Sequence, residues 1–268
     1  MSHVIRLILL AIAIYSNAVF ANNNYAQGTT NILFIGNSFT GANHLPSVLK
    51  KIATANNKQL TYAAQIKNGT SLYQHWHSGD AQKLILSKNW DYVVLQDASG
   101  SALEHPEKTL EYGIKFVDLI KQQGATALLF NTWAYNGTPT WVTNLKDKTL
   151  KAQFEEFIPH MAEKTNALYQ SLSDASGAKV VTVGQYWQHL AQQSNNVRLY
   201  ADDNSHPSPL GTYFSAILFY KALYGEAPKL LPNMLEAPYN QTRMDEMQRI
   251  EISQSSAALM LKVLSKPI

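Results

Sequence analysis

The stretch NILFIGNSFTG, residues 31–41, runs an apolar segment, Ile32 to Ile35, straight into Gly36-Asn37-Ser38 and then into the start of a helical pattern. A short, uninterrupted apolar run suits a strand covered on both faces, as in a parallel sheet. Four further runs of this kind follow the first (31–35), at 60–66, 92–96, 126–131 and 179–184. Helical periods separate them. Leu45, Val48, Leu49 and Ile52 recur at i, i+3, i+4 and i+7, as do Leu110, Ile114, Val117 and Ile120, the latter closed by Gly124. A long helix is expected over about 150–172. Ser208-Pro209 has the form of an N-cap followed by proline at the first helical position, opening a helix that ends near Gly225. Residues 228–239 read as a loop and 244–264 as a last helix.

Five strand–helix alternations predict an α/β fold: a three-layer α/β/α sandwich around a five-stranded parallel sheet. No internal repeat or linker divides residues 22–268, so one domain is expected. Ligands of such sheets sit at the carboxyl ends of the strands. The residues in question are therefore Gly36-Asn37-Ser38, Asn68-Gly69-Thr70, Asp97-Ala98-Ser99, Thr132-Trp133 and Gln185-Tyr186-Trp187.

Ser38 stands between the first strand and a helix, where helix-start N–H groups can stabilise an oxyanion. As a nucleophile it needs a base from elsewhere in the chain; otherwise it is simply a helix cap. In DDNSHPSPLG, residues 202–211, Asp203 and His206 lie three apart just before a helix. One loop can thereby deliver an imidazole and the carboxylate that fixes its tautomer. The plainer reading is a surface loop built from turn-forming residues.

Taken together, Gly36-Asn37-Ser38 and Asp203-Asn204-Ser205-His206 resemble the SGNH (GDSL-like) hydrolase family, which carries Gly-Asp/Asn-Ser after the first strand and Asp-x-x-His near the last helix. The resemblance spans about Asn31 to Gly225 and implies a flavodoxin-like SGNH hydrolase fold. It further implies Ser38 as nucleophile, His206 as general base and acid, and Asp203 as its orienting partner. A G-x-S-x-G elbow is absent, because Thr40 occupies the place of its last glycine. The family's asparagine after the third strand is missing too; the segment reads VVLQDASGSA (93–102). Its oxyanion-donating role falls first to the amide of Gln96 and second to Ser99. The chain is similar here to a subgroup with an N-S-F-T first block and an L-Q-x-x-S third block. The family's second-block glycine maps to Gly69, with Gly79 as the lesser candidate. The implied oxyanion hole is Ser38, Gly69 and Gln96.

Trp133, Tyr135, Tyr186 and Trp187 follow strand ends, where aromatic faces either bind substrate or plug the core. Trp133 and Trp187 are the substrate-binding candidates. His75 and His77 lack a third ligand nearby, so no metal and no cofactor is expected.

The 268 residues are 46% hydrophobic and 15% charged, with a net charge of +3, which argues against disorder and against a nucleic-acid partner. Residues 1–21 combine Arg6, an apolar stretch from Leu7 to Tyr15, and Val19 and Ala21 at the −3 and −1 positions, as in a secretory signal peptide. The expectation is a periplasmic or extracellular protein with no membrane span after cleavage. With no cysteine, it has neither disulfides nor a lipid-bearing N-terminal cysteine. The sequence thus points to a serine esterase acting on a small acyl ester, with O-acetylated carbohydrate the leading substrate. Its rivals are an acyltransferase or lysophospholipase using the same residues, and a carbohydrate-binding protein on a degenerate hydrolase scaffold.

Overall fold

The computed structural model describes residues 28–193 and 197–266; the expected signal peptide, 1–21, lies outside them. The chain opens with β1 (Thr30–Gly36), a one-turn α1 (Ser38–Gly41), a 3₁₀ turn (Ala42–His44) and α2 (Leu45–Ala55). Next come β2 (Leu60–Ile66), α3 (Leu72–Ser78), α4 (Asp80–Leu86), β3 (Tyr92–Leu95), α5 (Ser101–Glu104), α6 (Pro106–Gln122) and β4 (Thr126–Phe130). The second half holds α7 (Thr140–Thr143), α8 (Lys148–Phe157), α9 (Met161–Ser176), β5 (Lys179–Val181), α10 (Val183–Gln193) and α11 (Pro209–Tyr224). A hairpin, β6 (Met234–Asn240) and β7 (Arg243–Glu251), precedes α12 (Gln254–Leu264).

The five parallel strands lie in the order β2-β1-β3-β4-β5. Alternation along each strand divides the core in two. Ile32, Phe34, Val94, Leu128 and Phe130 face a layer that includes α2, α10, α11 and α12. Leu33, Ile35, Val93, Leu95 and Leu129 face one built from α3, α4, α6 and α9. Covering both faces explains why the strands read as unbroken apolar runs. Because β2 lies on one side of β1 and β3 on the other, the chain leaves β1 at a switch point. A crevice opens there, directly beyond Gly36.

Several boundaries differ from expectation. β5 stops at Val181 and α10 starts at Val183, so Gln185, Tyr186 and Trp187 belong to a helix rather than to a loop after the strand. The long helix expected over 150–172 is two, α8 and α9, joined by a 3₁₀ turn containing Pro159, whose ring cannot continue an α-helical ladder. Of the loop expected at 228–239, residues 228–233 are loop and the rest, with the first part of the helix expected at 244–264, is the β6–β7 hairpin. In β7 only Ile250 is buried, so solvent-facing polar residues left no apolar period to read. In β6 the alternation is present, with Leu235 and Ala237 buried, but Pro238 in a β-bulge obscures it.

Candidate active site

Asn37 leaves β1 with extended backbone and caps α1, its Oδ1 accepting the Phe39 N–H at 3.1 Å. The cap is therefore Asn37, and the Ser38 hydroxyl is left for other work. The Asn37 amide, almost wholly buried, donates to the Thr70 carbonyl (3.1 Å) and the Asp97 carbonyl (3.3 Å), tying together the loops that follow three strands. Gln96 completes the knot. Its Oε1 accepts the Asn37 N–H and the Thr40 hydroxyl, each at 2.9 Å, and its Nε2 donates to Asn37 Oδ1 (2.9 Å) and to the Asp97 carbonyl. A Cβ on Gly36 would lie 2.6 Å from Gln96 Oε1, so only glycine lets the strand end meet this amide.

This arrangement overturns the expectation for Gln96. Both of its amide hydrogens are committed to Asn37 and Asp97, its side chain is fully buried, and none is left to reach an oxyanion.

The second half of the site is the loop between α10 and α11. Asp203 Oδ1 accepts the backbone N–H groups of Ser205 (3.0 Å) and His206 (2.9 Å), and Oδ2 accepts the His206 Nδ1–H at 2.5 Å. Asn204 takes the left-handed turn between them, with φ 62°. The Ala201 N–H closes the loop on the His206 carbonyl at 2.9 Å, and Ser208 caps α11 by accepting from the Gly211 N–H. With Nδ1 donating to Asp203, Nε2 is the accepting nitrogen, and it meets the Ser38 hydroxyl at 2.9 Å. Burial would raise the Asp203 carboxyl, but hydrogen bonds from the His206 ring and from the Ser205 and His206 backbone, with the imidazole's charge, hold it below the usual carboxylate range.

The two halves are clamped to each other. Asn43 Nδ2 donates to the Pro207 carbonyl (3.0 Å) and Thr212 Oγ1 (2.9 Å), and the Trp133 indole N–H donates to the Ser205 carbonyl (2.9 Å). Phe39 lies flat on Trp133 and edge-on to His206.

Trp133 and Trp187 are not on the cleft wall. They are 1% and 0% exposed and stack face to face, with ring centroids 3.8 Å apart, so they plug the core beneath the imidazole loop. The exposed aromatic at the site is Trp141 of α7, 38% exposed, which no strand-end position singles out because it lies well beyond the end of β4. A cleft of about 420 Å³ is lined by Ser38, His206, Gly69, Ser99, Glu104 and Trp141, among others. Gly69 sits in a turn with φ +65°. Neither the Ser38 nor the Gly69 N–H donates to another group among the described residues. Gly79 ends α3 and does not line the cleft. His75 and His77 diverge because α3 is a helix: His75 is buried against the Gly36 carbonyl (2.9 Å), while His77 turns back to the Tyr73 carbonyl.

By sequence, no protein-family model and no curated protein matches the chain. Among solved structures it is similar to a Slackia heliotrinireducens protein assigned as an SGNH hydrolase (TM-score 0.59, 23% identity, covering 73% of this chain and 100% of that one). It is also similar to a DUF4886 family protein from Bacteroides uniformis (0.61, 18%, covering 76% and 88%) and to the acetyl xylan esterase AlAXEase (0.51, 17%, covering 72% and 99%). The order of the five strands, the helices on both faces and these likenesses agree: the chain has the α/β/α fold of the SGNH (GDSL-like) hydrolases.

Proposed function

We propose that this protein is an exported serine esterase that removes small acyl groups from an alcohol, and that its preferred substrate is an O-acetylated carbohydrate. The observation that carries the reading is the hydrogen-bonded series Ser38 Oγ–His206 Nε2 (2.9 Å) and His206 Nδ1–Asp203 (2.5 Å) at the floor of an open cleft. In the first step the Ser38 proton passes to His206 Nε2 as Oγ bonds to the ester carbonyl carbon and the carbonyl π pair moves onto its oxygen. Asp203 offsets the imidazolium charge. Collapse of the tetrahedral intermediate expels the alcohol, which takes the proton back from His206. Water then repeats the sequence on the acyl-serine, releasing the acid and restoring Ser38. The free N–H groups of Ser38 and Gly69 are the backbone donors to the oxyanion.

The carbohydrate assignment draws on Trp141, whose exposed indole offers a stacking face at the cleft mouth, and on Glu104, whose carboxylate can accept sugar hydroxyls. Burial raises the Glu104 carboxyl above its ordinary range. The acetyl xylan esterase among the similar structures supports the same choice. Export rests on the signal-like residues 1–21, and a mature chain beginning at Asn22 is the expected product.

The test is turnover of p-nitrophenyl acetate and of acetylated xylan by the wild type and by Ser38→Ala. The substitution should lower kcat by roughly 10⁶-fold. Equal rates from the two proteins would transfer the site to carbohydrate binding without catalysis.

A further inference from the structure

Two backbone N–H groups leave the oxyanion one donor short of the set implied by the family resemblance, and Gln96 has no hydrogen to give. From the geometry we infer that Ser99 is the third oxyanion donor, held and polarised by Tyr135. This inference rests on the esterase reading above.

Ser99 lies in the turn after β3, on the wall of the cleft that also contains Ser38, Gly69 and His206. Its oxygen accepts the Tyr135 hydroxyl at 2.6 Å. A serine hydroxyl has one hydrogen, and with its oxygen taken as acceptor that hydrogen is free to point into the cleft. Accepting one hydrogen bond also makes a hydroxyl a stronger donor of the next. Tyr135 is placed for this by its own surroundings. It is 6% exposed, its backbone N–H meets Met161 Sδ (3.4 Å), and its ring is packed edge-on to Trp141. Burial pushes its hydroxyl up to about 12, against a lowering from the hydrogen bond to Ser99 and with Glu104 and Asp203 adding to the rise, so it keeps its proton at neutral pH. Tyr135 does not reach the reacting atoms; it is a positioning residue acting through Ser99. During attack the carbonyl oxygen gains a full negative charge, and the Ser99 hydrogen bond strengthens as that charge develops.

The experiment compares wild type, Ser99→Ala, Tyr135→Phe and the double variant, each checked for folding by circular dichroism. Readouts are kcat and KM on p-nitrophenyl acetate and the affinity of methylboronic acid, which forms a tetrahedral adduct on a serine. Ser99→Ala should lower kcat about 10²-fold or more with KM little changed, and should weaken the boronate in parallel. Tyr135→Phe should lower kcat roughly two- to fivefold and add nothing in the Ser99→Ala background. Wild-type kcat in Ser99→Ala would overturn the assignment while leaving the loss in Ser38→Ala, and so the esterase reading, intact. An undiminished Tyr135→Phe effect without Ser99 would overturn the relay. Full activity in Ser38→Ala would remove both readings together.

Discussion

The two loops that bring Ser38 and His206 together are built on opposite plans. The serine segment is held almost entirely from a distance: Gln96, Thr70 and Asp97 reach it across 33 to 60 residues of chain, inside a buried knot. The histidine loop is shaped from within, Asp203 satisfying two backbone N–H groups and the ring within three residues, while its outward carbonyls accept from Thr140, Asn136, Trp133 and Asn43. A serine whose geometry is borrowed from the sheet is rigid and costly to disturb. An imidazole paired within its own loop keeps its tautomer as a local property, and, half-exposed, it stays open to solvent.

The largest effect separating the two plans is expected from Asp203→Asn. An asparagine oxygen can still accept the Ser205 and His206 N–H groups, so the loop should keep its shape, while the imidazole loses its carboxylate. A fall in kcat of about 10⁴-fold is the expected result, with the urea midpoint lowered only by the small stabilisation that the ionised Asp203 contributes at neutral pH. A large loss of stability would show that the loop is not the local unit described. Gln96→Leu should act in the reverse sense. It strands the buried Asn37 N–H and the Thr40 hydroxyl, leaving Asn37 Oδ1 with the Phe39 N–H alone, and at about 1–3 kcal/mol for each unpaired group the denaturation free energy should drop by roughly 2 kcal/mol or more. Activity should fall as well, although the amide never touches the reacting atoms.

The next effect is one of pH. Burial lowers the basicity of His75, which lies beneath Gly36, and of His44. A histidine whose folded-state value is depressed binds its proton more readily when unfolded. Stability is thus full above the ordinary histidine value of about 6.5 and declines as pH falls through and below it, by no more than about 1.4 kcal/mol per pH unit for each ring. The depressed Asp203 carboxyl adds a loss of the same sign at lower pH. Urea melts of His75→Gln across this range should show a shallower acid slope than the wild type. The smallest effect is expected on the outer rim of the histidine loop, where Arg198 pairs with Asp202 in solvent. Arg198→Ala should move the melting temperature by less than about 2 °C.

The same contrast explains what could be read from residue order. The Asp203–His206 spacing is a local motif with a local structure, and the first strand announces itself through four consecutive apolar residues. Gln96 departs from expectation because side-chain chemistry says only that an amide can donate, and not that its donors are already committed to Asn37 and Asp97. Trp187 departs from expectation because β5 ends three residues earlier than the apolar run suggests, which puts it on the core side of a helix; Trp133 does follow β4, but its ring is stacked against Phe39 and Trp187. The hairpin escaped notice because β7 buries a single side chain, so neither period of two nor of 3.6 stands out. Trp141, far from any strand end, gave no signal at all.

The Asn43 side chain, bridging to Pro207 across 164 residues, also sets an order of events in the life of the chain. At ordinary rates of synthesis, about 5–20 residues per second, the serine emerges roughly 10–30 s before His206, the base proposed for it. During that interval β1 to β5 can assemble, and the hydroxyl stays as inert as any surface serine. On the proposed mechanism, reactivity switches on only when α11 docks and Asn43 finds its partners, so competence is acquired late, as a property of the finished fold.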